Sequence, residues 1–294
     1  MGYNSTSLKR FLLHLLLGML LPSLLSCAKN ISQILFHVNV DQRSAESLSN
    51  ALPAPVVTTP TDPLNFSFAV FADVQVHQEG VTLLPRFKAD VAANNIGFFV
   101  VLGDLTEDGT TEEFKVVKTA LDAVGIPYYA TIGNHDLFQD STKGGWQAWK
   151  DTFGAATYSV LVSNVVRFIF LDTASGDIGP SQFEWLRTQL LTRVPFTFVG
   201  SHYPIYDGIT PIMWRLASLE ERYKLTSLLD ESGIFAYIAG HIHGYRENQV
   251  AKFKHFIAGS MFPYELDYGV HGYLLFTYNH GQMTWKHMTW DDTP

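Results

Sequence analysis

The sequence predicts an α/β domain with largely parallel strand pairing, and two observations predict it. Apolar runs of strand length alternate with helical patterns, which is how strands covered on both faces read. Five of those runs also end on Asp, Asn or His, and in a largely parallel sheet ligands bind beyond the carboxyl ends of the strands. Apolar residues are 47% of the 294, ample for one large core and too many for a disordered or fibrous chain.

The elements follow in order. Phe66–Phe71 leads to Asp73, and a helical pattern spans 81–95. Ile96–Leu102 leads to Gly103-Asp104, and Thr110-Thr111-Glu112-Glu113 signals the start of a helix over 111–123. Tyr128–Ile132 leads to Gly133-Asn134-His135-Asp136. Phe196–Val199 leads to Gly200-Ser201-His202, between helices expected over 181–193 and 215–230. Phe235–Ala239 leads to Gly240-His241-Ile242-His243. Gly272–Tyr278 and Gln282–Lys286 read as a hairpin of a second sheet turning at Asn279-His280-Gly281, where His280 has no catalytic role.

Singly, Asp73 or Asp104 reads as a helix cap or turn former, and Asn134 as a turn residue. Five such residues at one rim of one sheet are a different matter. Asp73 with Gln75, and His241 with His243, are spaced by two, so an extended chain would project each pair to one side. Glycine precedes Asp104, Asn134 and His241, where a close backbone approach is useful. The set is a metal-ligand inventory of oxygen and imidazole donors, suited to Mn, Fe or Zn.

The remaining composition narrows the chemistry. Twenty Lys+Arg against 28 Asp+Glu give a net charge of −8, a poor match to a nucleic-acid duplex. The single cysteine, Cys27, excludes an internal disulfide and a Cys-rich zinc site. It follows Lys9, Arg10 and the apolar run Phe11–Leu21, and Leu24-Leu25-Ser26-Cys27 is similar to a bacterial lipobox. The expected organisation is a lipoprotein signal over 1–26, a tether or arm over 27–63, and a catalytic domain over 64–294. Pro53, Pro55, Pro60 and Pro63 stiffen the end of the tether, and Ile34–Val40 reads as a strand or an arm lying on the domain. Lipid on Cys27 would hold the chain to a membrane at the bacterial cell envelope, on its periplasmic or extracellular face.

Taken in order, Asp73-x-Gln75, Gly103-Asp104, Gly133-Asn134-His135-Asp136, His202 and Gly240-His241-x-His243 resemble the signature of the calcineurin-like metallophosphoesterases. The resemblance covers 65–290. Tyr158–Val160 with Phe168–Asp172 looks like that family's central hairpin, and Gln182–Leu186 like the helix after it. The phrase Gly103–Gly109 is closest to the class III cyclic-nucleotide phosphodiesterase branch. Purple acid phosphatases carry a tyrosine ligand where this chain has Glu107, so no iron-tyrosinate is expected. Gln75 stands where His is usual; its neutral amide oxygen is a harder, weaker donor, which favours a looser or harder first metal such as Mn²⁺.

The resemblance implies two mixed sheets packed face to face with helices outside, a four-layer sandwich, and two divalent transition-metal ions. Asp73, Gln75, Asp104 and His243 would hold the first; Asp104, Asn134, His202 and His241 the second. A hydroxide between them would attack a phosphoester, slightly in favour of diesters, with His135 assisting the leaving group. Asp136, Glu107 or Asp108 would orient His135; the sequence does not choose. Arg246 is a candidate phosphate clamp or a surface ion pair, and Trp146, Tyr203, Tyr206 and Met261 are candidate pocket walls. A phosphomonoesterase, or a lapsed scaffold marked by Gln75, are the alternatives.

Overall fold

A computed structural model describes residues 39–49, 52–53, 60–77, 79–80, 82–138, 144–206, 215–264 and 269–290. The signal over 1–26, Cys27 and the tether up to residue 38 lie outside the described residues. Among the described residues no helix is long and apolar enough to cross a membrane.

Among the described residues, twelve strands form two six-stranded sheets. In the first, β1 (Asn65–Ala72), β2 (Ile96–Leu102) and β3 (Tyr128–Thr131) run parallel. In the second, β4 (Tyr158–Val162) pairs antiparallel with β5 (Val166–Phe170), which runs parallel to β6 (Phe196–Gly200). Next to β6 comes β7 (Ala236–Ala239), also parallel, and beyond it the antiparallel hairpin of β8 (Arg246–Val250) and β9 (Phe253–Ile257). The short β10 (Gly259–Ser260) returns to pair with the end of β1. Finally β11 (Gly272–Asn279) and β12 (Gln282–Thr289) add antiparallel beside β1, turning at His280 and Gly281 with φ 47° and 95°. Positive φ at both central residues matches the strand twist.

Two expectations are corrected here. The C-terminal hairpin belongs to the first sheet, where β11 finds the free side of β1. The five strand ends do not share one sheet either: β1, β2 and β3 lie in the first, β6 and β7 in the second. Apolar runs show that a strand is buried on both faces but not which sheet it joins.

Among the described residues, six helices cover the outside. They are α1 (Val40–Leu48), α2 (Leu84–Ala93), α3 (Thr111–Val124), α4 (Gly144–Phe153), α5 (Gly179–Leu190) and α6 (Leu219–Ser232). The start signal of α3 is a complete capping box: Thr110 Oγ1 accepts the Glu113 N–H, and Glu113 Oε2 accepts the Thr110 N–H, both at 3.1 Å. Three apolar layers result. Phe71, Phe87, Phe114 and Trp149 pack between the first sheet and α2–α4. Phe68, Phe98, Phe168, Phe198 and Phe276 fill the space between the sheets, with Phe68 edge-on to Phe168 and Phe198 at 5.2 and 5.5 Å. Ile169, Phe183, Val199 and Leu225 seal α5 and α6 to the second sheet. The architecture is the four-layer sandwich.

Candidate metal centre

The donor residues meet where the carboxyl ends of both sheets' parallel strands open on the seam between them. His202 Nδ1–H donates to the Leu102 carbonyl at 2.9 Å, which leaves Nε2 to face inward. That one nitrogen lies 2.9 Å from Asn134 Oδ1, 3.1 Å from His241 Nδ1 and 3.1 Å from Asp104 Oδ2. A single proton cannot serve three acceptors. Atoms bound to one ion at about 2.0–2.2 Å stand roughly 3 Å apart, so this spacing fits a shared cation. A histidine whose other nitrogen is pinned to a main-chain carbonyl is also the usual outer support of a metal ligand.

Two groups of residues each bring one donor atom apiece within 4.8 Å of the others, close enough to share an ion: Asp104, His202 and His241, and Asp73, Asp104 and His243. Asp104 belongs to both. Gln75 Oε1 is buried without a hydrogen-bond partner, an orphan acceptor of the kind a metal would satisfy. These residues fit divalent metal.

The buried charges of the site perturb one another strongly. Burial alone would raise the Asp104 carboxyl, but His202, His135 and His241 hold it well below the usual carboxylate range. Burial raises Asp73. Desolvation works against a charge on His202, yet Asp104 and Asp73 push its pKa up to about 9. His241, buried and beside His202, is driven well below an ordinary histidine.

Backbone conformation explains how ligands two apart reach one centre. Asp73, Gln75, Asp104, His241 and His243 all adopt positive φ, at 54°, 41°, 51°, 72° and 50°. The expectation that each pair projects from an extended chain is therefore corrected. Left-handed residues re-aim the chain just past the strand ends, at a strain of about 1–3 kcal/mol each. Such strain clusters at functional sites because the surroundings over-determine it. Gly133 is required by close approach: a Cβ there would lie 2.2 Å from both Asp104 N and Oδ1.

His135 stands on a short 3-10 turn directly after Asn134. Its main-chain N–H donates to Asp104 Oδ1 at 2.9 Å, and its ring Nδ1 lies 2.8 Å from the Glu107 carbonyl and 3.6 Å from Glu107 Oε2. Glu107 is thus the orienting residue. Asp136 is not: its Oδ1 accepts the N–H groups of Leu105 and Thr106 and the Thr106 hydroxyl, and its Oδ2 accepts the Gly133 N–H. It ties the loop after β2 to the loop after β3. Desolvation opposes a charged His135, but Asp104 and Glu107 outweigh it and raise its pKa.

Of the expected pocket walls, Tyr203 lies against the His241 ring at 4.0 Å, and Tyr206 is exposed. Trp146 and Met261 are core residues under the first sheet. Rings at the site that sequence reasoning missed are Phe138, 4.3 Å from His135, and Phe262, 5.0 Å from His243. Arg246 opens β8, half-buried, with Nη1 on the Tyr245 carbonyl. His77 packs near Tyr264 at 5.8 Å. Thr173 was also missed; its Oγ1 accepts the main-chain N–H groups of His202 and Tyr203 at 3.2 and 2.9 Å. It sits just past β5, a strand end that carried the same positional signal as the other five.

The chain belongs to the calcineurin-like phosphoesterase family, whose profile matches residues 66–245. It is 27% identical over 154 residues to a probable cyclic nucleotide phosphodiesterase of Rhodococcus erythropolis, covering 49% of this chain and 50% of that protein. A probable glycerophosphodiester phosphodiesterase of Arcobacter nitrofigilis is 28% identical over 156 residues, 49% of this chain and 55% of its own. The chain thus spans about half the length of these curated relatives. A dimetal phosphatase from Danio rerio shares the fold at a TM-score of 0.59 and 15% identity, covering 78% of this chain and 97% of the other.

Proposed function

We propose that this protein is a dinuclear metal-dependent phosphoesterase that favours phosphodiesters over monoesters. The observation that carries the reading is the pair of donor groups sharing Asp104 at the seam of the two sheets. Asp73, Gln75, Asp104 and His243 would hold one ion, and Asp104, Asn134, His202 and His241 the other. Bound there, two divalent cations would neutralise phosphoryl oxygens and acidify an attacking water.

The chain's own residues do the rest. His135, with Nδ1 held by the Glu107 carbonyl, presents Nε2 to the leaving oxygen and gives up its proton as the P–O bond breaks. Glu107 and Asp104 favour the imidazolium needed for that step. Arg246 is proposed to steady the substrate phosphate. The diester preference draws support from the Gly103–Gly109 phrase and from the names of both curated relatives.

Placement at a bacterial cell envelope through lipid on Cys27 is part of the same reading; Cys27→Ser should abolish incorporation of labelled fatty acid. The activity is tested on the full chain, stripped and reloaded with Mn²⁺, against an aryl phosphodiester and the matching monoester. Diester turnover above monoester turnover, lost in Asp104→Ala, upholds the reading; a monoester preference makes the protein a phosphatase. A second reading, a metal-free scaffold, is favoured only by Gln75 and predicts no bound transition metal.

A further inference from the structure

The segment expected to be a tether or an arm contains α1, which lies outside the span matched by the family and packs on the domain as an arm. Asp41 Oδ1 accepts the Ser181 N–H at 3.0 Å, in the first turn of α5. Glu46 Oε2 accepts from Trp146 Nε1 at 3.0 Å and Lys150 Nζ at 2.6 Å, both on α4. Ser47 Oγ accepts the Ala156 N–H at 3.2 Å. Because α4 covers the first sheet and α5 the second, α1 straps the two halves together.

Its central residue reaches further. Arg43 is fully buried and grips Asp172 with two prongs, Nε to Oδ2 at 2.7 Å and Nη2 to Oδ1 at 3.0 Å; Nη2 also donates to Ser175 Oγ at 2.9 Å. A planar fork on a carboxylate fixes orientation as well as distance. The next residue is Thr173, whose hydroxyl holds the main-chain N–H groups of His202 and Tyr203. The same loop secures the other flank, since the Gly176 carbonyl accepts the Ala217 N–H at 2.8 Å and the Pro204 carbonyl accepts the Leu216 N–H at 3.0 Å.

The geometry points to Arg43 as a positioning residue of the metal centre, acting through Asp172 and Thr173 on the backbone of His202 and Tyr203. What His202 does rests on the dinuclear reading; how it is held does not. A metal ligand loosened through its outer support typically loses about 10–100-fold in affinity.

The test uses the full chain with Thr173→Val, with Thr173→Ser as its rescue, and with the pair Arg43→Met plus Asp172→Leu. The pair removes both charges, so neither is left buried alone. Amide hydrogen exchange is followed at 201–204 and at β2, and Mn²⁺ binding by equilibrium dialysis. We expect exchange of the His202 and Tyr203 amides to rise about 10-fold or more with β2 unchanged. One of two Mn²⁺ ions should bind about 10–100-fold more weakly, and Thr173→Ser should restore both properties. Unchanged protection at 202–203, a uniform rise that includes β2, or lost protection with both Mn²⁺ affinities intact would each overturn the proposal. A local rise in exchange in a protein that binds no Mn²⁺ at all would uphold the positioning path and overturn the dinuclear reading instead.

Discussion

The two sheets bring different chemistry to the seam. Of the proposed donors, the first carries only oxygens, on Asp73 and Gln75 after β1, Asp104 after β2 and Asn134 after β3. The second supplies only imidazole nitrogens, from His202 after β6 and His241 and His243 after β7. Each donor group takes members from both sheets, so neither half can complete a site alone. Metal bound there would therefore act as a clip across the seam, with the register of one sheet on the other setting which donors meet. Phe68 packs edge-on against Phe168 and Phe198 across the gap, one of the contacts that holds the sheets together from within the core.

The sharpest way to break the arrangement is at the residue common to both groups. Asp104→Asn keeps the shape but removes the charge facing His202. We expect turnover to fall on the order of 10³-fold and metal content, read by elemental analysis, to drop at both sites. His202→Ala should empty mainly the site it shares with His241, so a residual single ion in that variant distinguishes the nitrogen half from the oxygen half.

His135 follows β3 of the first sheet but belongs to neither donor group, and its loss should separate chemistry from binding. His135→Ala should cost about 10²–10³-fold with an alkyl leaving group and far less with a nitrophenolate, which needs no proton. Metal content should stay at the wild-type level. An equal loss on both esters would remove His135 from the role of acid.

If metal clips the sheets together, removing it should show in stability as well as in rate. At metal concentrations about 100 times Kd, each bound ion contributes roughly 2.7 kcal/mol, about 5.4 kcal/mol for the proposed pair. For a domain of this size that corresponds to a melting shift of about 11–22 °C, and half of that for a single ion. Thermal melts with and without a chelator check it, and Asp104→Asn should show almost no shift.

Much of this was legible before any coordinates. Strand ends bearing Asp104, Asn134 and His202 marked the centre because a strand's apolar run and its first polar residue are both local signals. The allocation of strands to two sheets was not, since it depends on which long-range partner β1 and β6 find. Neither was the left-handed backbone at Asp73 and Gln75, because Asp and Gln, unlike Gly, do not advertise positive φ. Helix α1 escaped for another reason: its buried residues include Arg43, Ser44 and Ser47, so it shows no apolar stripe. Its anchorage is a salt bridge to a residue 129 positions away, which no local pattern records.

Gln75 offers the smallest and most discriminating change. It is the proposed oxygen donor at the position where the resemblance leads one to expect an imidazole, and its buried Oε1 has no hydrogen-bond partner. Gln75→His places a nitrogen in the oxygen half, giving the first site a second imidazole beside His243. The softer, stronger donor should tighten that ion by about 10-fold and shift preference from Mn²⁺ toward Zn²⁺. Competition dialysis with the two metals reads both effects, while the site built on His202 and His241 serves as the internal control. If the variant binds neither metal more tightly, the Gln75 oxygen does not face an ion, and its burial must be explained by packing beside Asp73 instead. If it tightens the site yet slows turnover, the loosely held first ion is itself part of how the wild-type enzyme works, and the separation of oxygen and nitrogen halves is a functional choice rather than an accident of descent.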